Sequence, residues 1–163
     1  MKKLGAKGIK VLKTCHLLVV MIWVVGVAAM AIINLITPQS GDELYMTFYI
    51  SRLVDDTLVI PGAILTIITA IVYGAFTNWG FFKHRWITVK WIISILVIVV
   101  GTFYFSPKLD SSLEIANELR DTAFTNPELI WNHQVSLIGA FVQASVLIFL
   151  VVISVFKPWK KKR

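Results

Sequence analysis

The sequence predicts an all-α membrane protein, a single domain covering residues 1–163 that folds as a four-transmembrane-helix bundle. Apolar residues make up 57% of the chain, against about 45–50% in an ordinary soluble domain. They gather into four runs, at 11–36, 58–82, 86–105 and 135–156. Each run is long enough to cross a hydrocarbon core of about 30 Å, which takes about 20 helical residues.

The distribution of charge predicts the orientation of these spans. All nine acidic residues lie in the connections after the first and third runs, whereas lysine and arginine concentrate in the other connection and at both termini. Short basic connections stay on the cytoplasmic side of a membrane. We therefore expect a multi-pass protein of the cell (inner) membrane with both termini in the cytoplasm. On this reading the net charge of +7 marks topology and contact with membrane lipid, and nucleic acid is not an expected partner.

The first outer connection predicts a short amphipathic helix. After the turn-rich stretch TPQSGDEL, the residues Tyr45, Phe48, Tyr49 and Arg52 fall at helical spacing and carry an aromatic belt. Pro61 then lies in the first turn of the second span, where a missing amide is tolerated. If the helix begins near Tyr49, Pro61 would instead kink it.

The second outer connection is long and polar and predicts another small helix over the outer mouth of the bundle. Ser111 followed by Glu114 has the spacing of a capping box, in which each side chain satisfies a free amide at the start of a helix. Asn126 and Pro127 predict a second helix start, with Pro127 opening the helix that becomes the fourth span.

Each span carries one stripe of polar or small side chains, found by projecting residues at 100° steps. Such residues gather where membrane helices meet, because they allow close approach or hydrogen bonding between helices. This predicts a compact bundle with a partly polar interior. The stripes are His16, Trp23, Gly26 and Met30 on the first span; Asp55, Gly62, Thr66, Thr69, Tyr73 and Thr77 on the second; Lys90, Ser94 and Gly101 on the third; and Asn132, Ser136, Gly139 and Gln143 on the fourth.

Three of these side chains raise a question of function. Gln143 lies near mid-membrane and needs a hydrogen-bond partner, since an unsatisfied amide in hydrocarbon costs on the order of several kcal/mol. Lys90 lies about one turn inside the third span, where its stem could snorkel to the membrane surface or its ammonium could meet a ligand. His16 lies at a similar depth on the first span, so the two nitrogen-bearing side chains together favour a ligand site.

A second candidate site lies on the outer side. His133 could approach Asp55 and Asp56, and a histidine with two carboxylates could hold a divalent metal or relay a proton. Solvated polar helix ends explain the same residues without any ligand. No motif of the common soluble enzyme classes occurs, such as G-x-S-x-G, HExxH or a phosphate-binding loop.

Two segments resemble a known group of membrane proteins. LKTCHLLVVMIWVVG, with Lys13, His16, Trp23 and Gly26, resembles the first span of the J-type protoporphyrinogen oxidase family and of the related copper-resistance D-like proteins. RWITVKW, with Trp86 and Lys90, resembles their later tryptophan-x-x-x-lysine segment. DDTLVIP is similar to the start of the second span in a wider group of bacterial integral membrane proteins of unknown function.

The resemblance implies a haem b or porphyrin inside the bundle. His16 would be its axial ligand to iron, and Lys90 would pair with a propionate or assist proton transfer. Trp23, Gly26, Met30, Trp86, Ser94 and Gln143 complete the expected cofactor-binding set. The oxidase family also has an arginine and a histidine at the end of its first span, where this chain has MAIINLI, and a later histidine that 91–105 lacks. Oxidase activity is therefore not expected, and a single protein ligand remains, with Met30 or Met21 on the same face.

The sequence thus leaves three functional hypotheses. The first is a small inner-membrane protein that binds a tetrapyrrole for haem handling or electron transfer. The second is a copper-like metal handler or permease with an outward-facing path. This path uses Asp55, Asp56 and His133 as an outer metal site, together with Gln143. The third is a non-catalytic accessory subunit that packs against a membrane partner or against another copy of the chain through its glycines.

Overall fold

The computed structural model describes residues 3–157, and its regular structure within that range is entirely helical. Four continuous helical segments are long and apolar enough to cross a membrane, namely 6–33, 41–76, 85–125 and 127–156. The prediction of a multi-pass, all-helical membrane protein is confirmed at this level. The helices are α1 (Ala6–Ile33), α2 (Gly41–Val54), α3 (Ile60–Phe76), α4 (Arg85–Val100), α5 (Ser106–Leu119) and α6 (Pro127–Phe156).

The helix ends differ from the ends of the apolar runs at several points. α1 ends at Ile33 instead of continuing to residue 36, and α3 ends at Phe76, six residues short of 82. After α3 the chain turns, because the Thr77 hydroxyl accepts the Trp79 amide at 3.2 Å and Gly80 adopts a positive φ of 64°. Only a residue without a side chain takes up that φ at no steric cost. Apolar composition therefore continues past the end of the helix.

Two wide π-helical turns join consecutive helices. The sequence left open whether the helix before Pro61 continues through it, and it predicted a separate helix start at Ser111. Asp55–Val59 carries α2 into α3, and Gly101–Phe105 carries α4 into α5. The amide after each turn bonds the carbonyl five residues back, Ile60 to Asp55 and Ser106 to Gly101.

A proline stands directly after the amide that closes each turn. Pro61 follows Ile60 and Pro107 follows Ser106. Proline cannot donate a hydrogen bond, and its ring would clash with the carbonyl four residues earlier in a regular helix. The wider turn accommodates that carbonyl. The helix before Pro61 starts at Gly41, so the proline lies within a continuous helix and not at the beginning of a span.

The membrane helices lie side by side in the order α3, α1, α6, α4. α1 packs against α3 on one side and α6 on the other, while α4 packs mainly against α6. Within the described range α3 and α4 have few close backbone contacts, so the helices form an arc whose two outer members contribute Ala63 and Val97 to the same buried cluster. The interior of the arc contains a buried apolar cluster of Trp23, Val27, Ala63, Val97, Leu147 and Leu150.

The two ends of the bundle have different character. At one end, which we call the basic end, the Leu4 amide donates to the Phe76 carbonyl at 3.0 Å, and Lys3 donates to Asn78. The α3–α4 connection and the last turn of α6 lie at the same end. The other, acidic end carries α2 and α5, which pack around a second apolar cluster of Leu44, Phe48, Leu109, Ala116, Ala123 and Leu129.

The two predicted helix starts at the acidic end have different outcomes. The Asn126 side chain accepts the amides of Glu128 and Leu129 at 2.9 and 3.1 Å, so the predicted start of the last helix is confirmed. The capping-box prediction is wrong, because α5 already begins at Ser106 and the Ser111 hydroxyl donates to the Glu128 carboxylate at 2.6 Å.

Candidate functional site

His16 is held between α1 and α3 by one of its ring nitrogens. Nδ1 lies 2.8 Å from the Thr69 hydroxyl oxygen, and that hydroxyl donates to the Leu65 carbonyl at 2.7 Å. The hydroxyl has a single proton, so when it donates to the backbone the half-buried imidazole must donate from Nδ1. Nε2 then keeps its lone pair. A metal-ligating histidine is oriented in the same way, by a hydrogen bond from its other nitrogen.

Lys90 is held on the far side of the arc. Its Nζ donates to the Ser154 hydroxyl at 2.6 Å, and Ser154 donates in turn to the Leu150 carbonyl at 2.7 Å. Ser154 lies two residues before the end of α6, so the half-buried lysine stretches toward the basic end yet stays bonded to a neighbouring helix. Among the described residues its ammonium forms no ion pair with a carboxylate.

His16 and Lys90 lie at a common level of the bundle but bind different helices. Their hydrogen bonds go to α3 and α6 respectively, and neither is the other's partner. The two groups therefore flank the basic half of the arc without closing on each other.

The face of α3 beside His16 carries further polar groups. The hydroxyl of Thr66, one turn from Thr69, is buried and has no hydrogen-bond partner within residues 3–157. The Tyr73 ring lies 6.1 Å from the His16 ring, centroid to centroid. An orphaned hydroxyl beside an imidazole with a free lone pair is a polar surface that a ligand could satisfy.

Three α1 residues that were expected to bind the cofactor pack against other parts of the protein. Trp23 is buried against α3. A Cβ added to Gly62 would lie 2.8 Å from the backbone nitrogen of Trp23. Gly26 faces Leu58 at the first π-helical turn. Met30 packs against the apolar cluster of the acidic end, about 21 Å along the helix from His16 at 1.5 Å per residue. The structure does not bring Met30 to the level of His16.

The expected residues on α4 and α6 also lie apart from His16. Ser94 is half-buried on α4, without a side-chain hydrogen bond in the described part of the chain. Gln143 lines an apolar groove of about 610 Å³ between α4 and α6, with Val97 and Gly139 among its other walls. The polar and small residues of the four stripes therefore do not all meet at one site. They make packing contacts at several levels of the bundle.

Trp86 belongs to a group of aromatic rings at the basic end. Its ring lies 5.7 Å from that of Trp79 and 6.3 Å from that of His84, while Trp79 and His84 lie 5.5 Å apart. The Lys157 ammonium lies 4.9 Å from the Trp79 centroid and 5.9 Å from the Trp86 centroid. We call Trp79, His84, Trp86 and Lys157 the basic-end cluster.

At the acidic end a single arginine gathers three carboxylates. Arg52 lies 3.4 Å from Asp55 and 3.3 Å from both Asp56 and Asp110, and it donates to the Ser106 hydroxyl at 3.0 Å. This arginine network ties the start of the first π-helical turn to α5, directly beyond the second turn. Sequence reasoning missed Arg52 as its centre, although the spacings to Asp55 and Asp56 are those of helical ion pairs.

The proposed outer metal residues belong to different contacts. His133 donates from Nε2 to the Asn34 carbonyl at 3.2 Å, and its ring meets Phe48 edge-on at 6.3 Å. Asp55 and Asp56 face Arg52 instead. In the described range no group of three or more histidine, cysteine, aspartate or glutamate side chains is placed to hold a metal ion.

Comparisons with protein-family models, with curated proteins and with solved structures found no match to this chain.

Proposed function

We propose that the protein binds a b-type haem or a related porphyrin through His16, in the basic half of the bundle. The observation that carries the proposal is the 2.8 Å contact between His16 Nδ1 and the back-bonded Thr69 hydroxyl. It leaves Nε2 as a free ligand atom on a fixed ring. We place the basic end in the cytoplasm, because basic connections stay on that side of a membrane.

Two further features fit a porphyrin at this level. The buried Thr66 hydroxyl lacks a partner among the described residues and stands one helical turn from Thr69. α3 and α4 have few close backbone contacts, so a ligand between them would displace side chains and not tightly packed backbones. Deeper in the bundle the close meeting of Trp23 with Gly62 leaves no room for a macrocycle. The site is therefore confined to the basic half.

Lys90 supplies the positive charge for the carboxylates of such a ligand. Its ammonium is partnered only by the neutral Ser154 hydroxyl within the described range, so a propionate would provide the counter-charge that the bundle lacks there. Bound iron would supply ligand exchange or one-electron chemistry. Thr69 orients the imidazole, Tyr73 lies beside it, and Lys90 provides the cation.

The ligand set favours haem handling over electron transfer. Met30 lies near the acidic end, and the other two histidines, His84 and His133, belong to separate contacts. One protein ligand on a half-buried ring suits a ligand that enters and leaves. The metal-handling alternative has less support, because Asp55 and Asp56 already face Arg52.

The test is the visible spectrum of protein purified from haem-replete cells. We expect a Soret band that disappears in His16→Ala and persists in His133→Ala, the matched histidine at the acidic end. Thr69→Val keeps the shape but removes the hydrogen-bond partner of Nδ1, so haem affinity should fall about 10–100-fold. Lack of a band in the unaltered protein, or an unchanged band in His16→Ala, would refute the proposal.

A further inference from the structure

The basic-end cluster holds a cation that pairs with no carboxylate among residues 3–157. Lys157 lies over the rings of Trp79 and Trp86, and no acidic residue occurs in the α3–α4 connection or after α6. At the acidic end, by contrast, Arg52 and Arg120 each face at least one aspartate. The two exposed neighbours of His84, Lys83 and Arg85, add further positive charge. The basic-end cluster therefore has an uncompensated positive field.

The backbone fixes the position of Lys157. This residue ends α6 in the left-handed region, at φ 46° and ψ 56°, with its amide donating to the Ile153 carbonyl at 2.9 Å. Glycine is the residue that usually fills this position, because other side chains pay a steric cost there. α6 therefore ends at Lys157, with the ammonium of this residue lying over the two indoles.

The cluster also contains a donor without an acceptor. Trp86 Nε1 is buried and has no hydrogen-bond partner within residues 3–157. Buried indole N–H groups usually find an acceptor. A cation and a free N–H on adjoining groups are the two elements that recognise an anionic oxygen.

We propose that the basic-end cluster binds the phosphate of an anionic phospholipid. The cluster lies where apolar helices end, and tryptophan rings prefer the headgroup level of a bilayer. Its charge is opposite to that of the phosphate and is not offset by any acidic residue in the neighbouring segments. Lys157 is the cationic contact, Trp86 Nε1 is the donor, and Trp79 and His84 hold the indole in place.

The test is native mass spectrometry of detergent-purified protein titrated with phosphatidylglycerol, with phosphatidylcholine of the same acyl chains as the neutral lipid. Lys157→Gly is the decisive variant, because glycine suits the left-handed backbone and the fold is kept while the ammonium is removed. We expect affinity for phosphatidylglycerol to fall about fivefold, the effect of one cation near a membrane surface. Trp86→Phe, which keeps a ring and removes the N–H, should also weaken binding.

Lys108 provides the matched control. Its ammonium also lies over an aromatic ring, 5.2 Å from the Tyr104 centroid, but it donates to Asn132 at 3.0 Å at the acidic end. Lys108→Gln should leave lipid binding unchanged, while Lys157→Gln should lower it. Equal losses in the two, or full affinity in Lys157→Gly, would overturn the proposal. Inorganic phosphate that binds as tightly as phosphatidylglycerol would overturn the lipid as the source of the phosphate.

Discussion

The two π-helical turns have the same hydrogen-bond pattern but different packing environments. Each is closed by an amide bonded five residues back, and each is followed at once by a proline. The first turn, Asp55–Val59, packs against α1 and begins with the buried Asp55 of the arginine network. The second, Gly101–Phe105, has no buried residue, and Phe103 is 76% exposed. Local sequence therefore produces the wide turn, and the neighbouring helix decides whether it is packed.

The difference follows from where the helices lie in the arc. α1 is central and touches both α3 and α6, so the turn before α3 meets a partner. α4 is peripheral and packs mainly against α6, so most of the turn after it faces outward. Of the second turn, Phe105 is the residue that reaches inward, where its ring lies over Gly139 of α6.

The largest expected effect comes from filling the contact at the first turn. A Cβ at Gly26 would lie 2.9 Å from both the Leu58 Cβ and the Val59 Cγ2. Gly26→Val should therefore lower the free energy of unfolding by about 3 kcal/mol, as overpacking of a tight interface does. Unfolding in mixed micelles measures it. Gly101→Val is the matched control, since nothing lies within 4 Å of a Cβ at Gly101. Equal losses in the two variants would show that the turns do not differ in packing.

Removing the centre of the arginine network should have the next largest effect. Arg52→Ala leaves the largely buried Asp55 carboxylate beside Asp56 and Asp110 without a cation. We expect a loss of about 2 kcal/mol, less than for a fully buried pair because Asp56 and Asp110 are half exposed. Amide hydrogen exchange in 55–59 should accelerate, while exchange in 101–105 should change less. Exchange that accelerates equally in both turns would contradict the network's assignment to the first.

The second turn should tolerate, and benefit from, a helix-forming residue. Gly101 has helical backbone angles of φ −56° and ψ −52°, with open space around it. Gly101→Ala should raise the free energy of unfolding by about 0.5–1 kcal/mol, because alanine loses less backbone entropy than glycine in a helix. Thermal unfolding in detergent should show a higher midpoint. Gly26→Ala should show the reverse, and a lower midpoint for Gly101→Ala would be inconsistent with an unpacked turn.

The smallest effect should come from the outermost carboxylate of the network. The Asp110 side chain is 55% exposed, so its pair with Arg52 is screened by water. Asp110→Asn should lower stability by about 0.5 kcal/mol at low salt, and by less at high salt. Unfolding measured at both ionic strengths would reveal this. A loss that persists unchanged in high salt would mean that Asp110 is more enclosed than its exposure indicates.

The sequence predicted the helices and their inward faces well. Four apolar runs and a 100° projection require only local information, and the residues Gly62, Thr66, Thr77, Asn132 and Gly139 from the predicted stripes are all buried. The asparagine cap before Pro127 was equally readable, because the capping residue and its amides are adjacent in sequence.

The sequence did not predict that α2 continues into α3 and α4 into α5. Pro61 and Pro107 are common both at helix starts and within kinked helices, and the choice depends on which carbonyl the preceding amide reaches. Ser111 and Glu114 matched a capping pattern, but the helix before them did not end. Residue spacing does not indicate whether a backbone amide bonds the carbonyl four or five residues back.

The hydrogen-bond partners of His16 and Lys90 could not be predicted from local sequence either. Thr69 lies 53 residues from His16, and Ser154 lies 64 residues from Lys90. Their pairing depends on the order of helices in the arc. Lipid gives little preference for one neighbour over another, so this order is set by side-chain packing along whole helices. The helices that carry His16 and Lys90 were predictable, and the contacts of these two side chains were not.

The outer place of α4 in the arc has a consequence for biosynthesis. α3 enters the membrane after α1 and finds its neighbour already present, whereas α4 is completed before its main neighbour α6 exists. At a synthesis rate of about 5–20 residues per second, the 64 residues from Lys90 to Ser154 take roughly 3–13 seconds. During that interval the lysine lacks its hydroxyl acceptor, and its stem can carry the charge to the nearby water interface. The third crossing therefore waits for its packing partner until synthesis of α6 is complete.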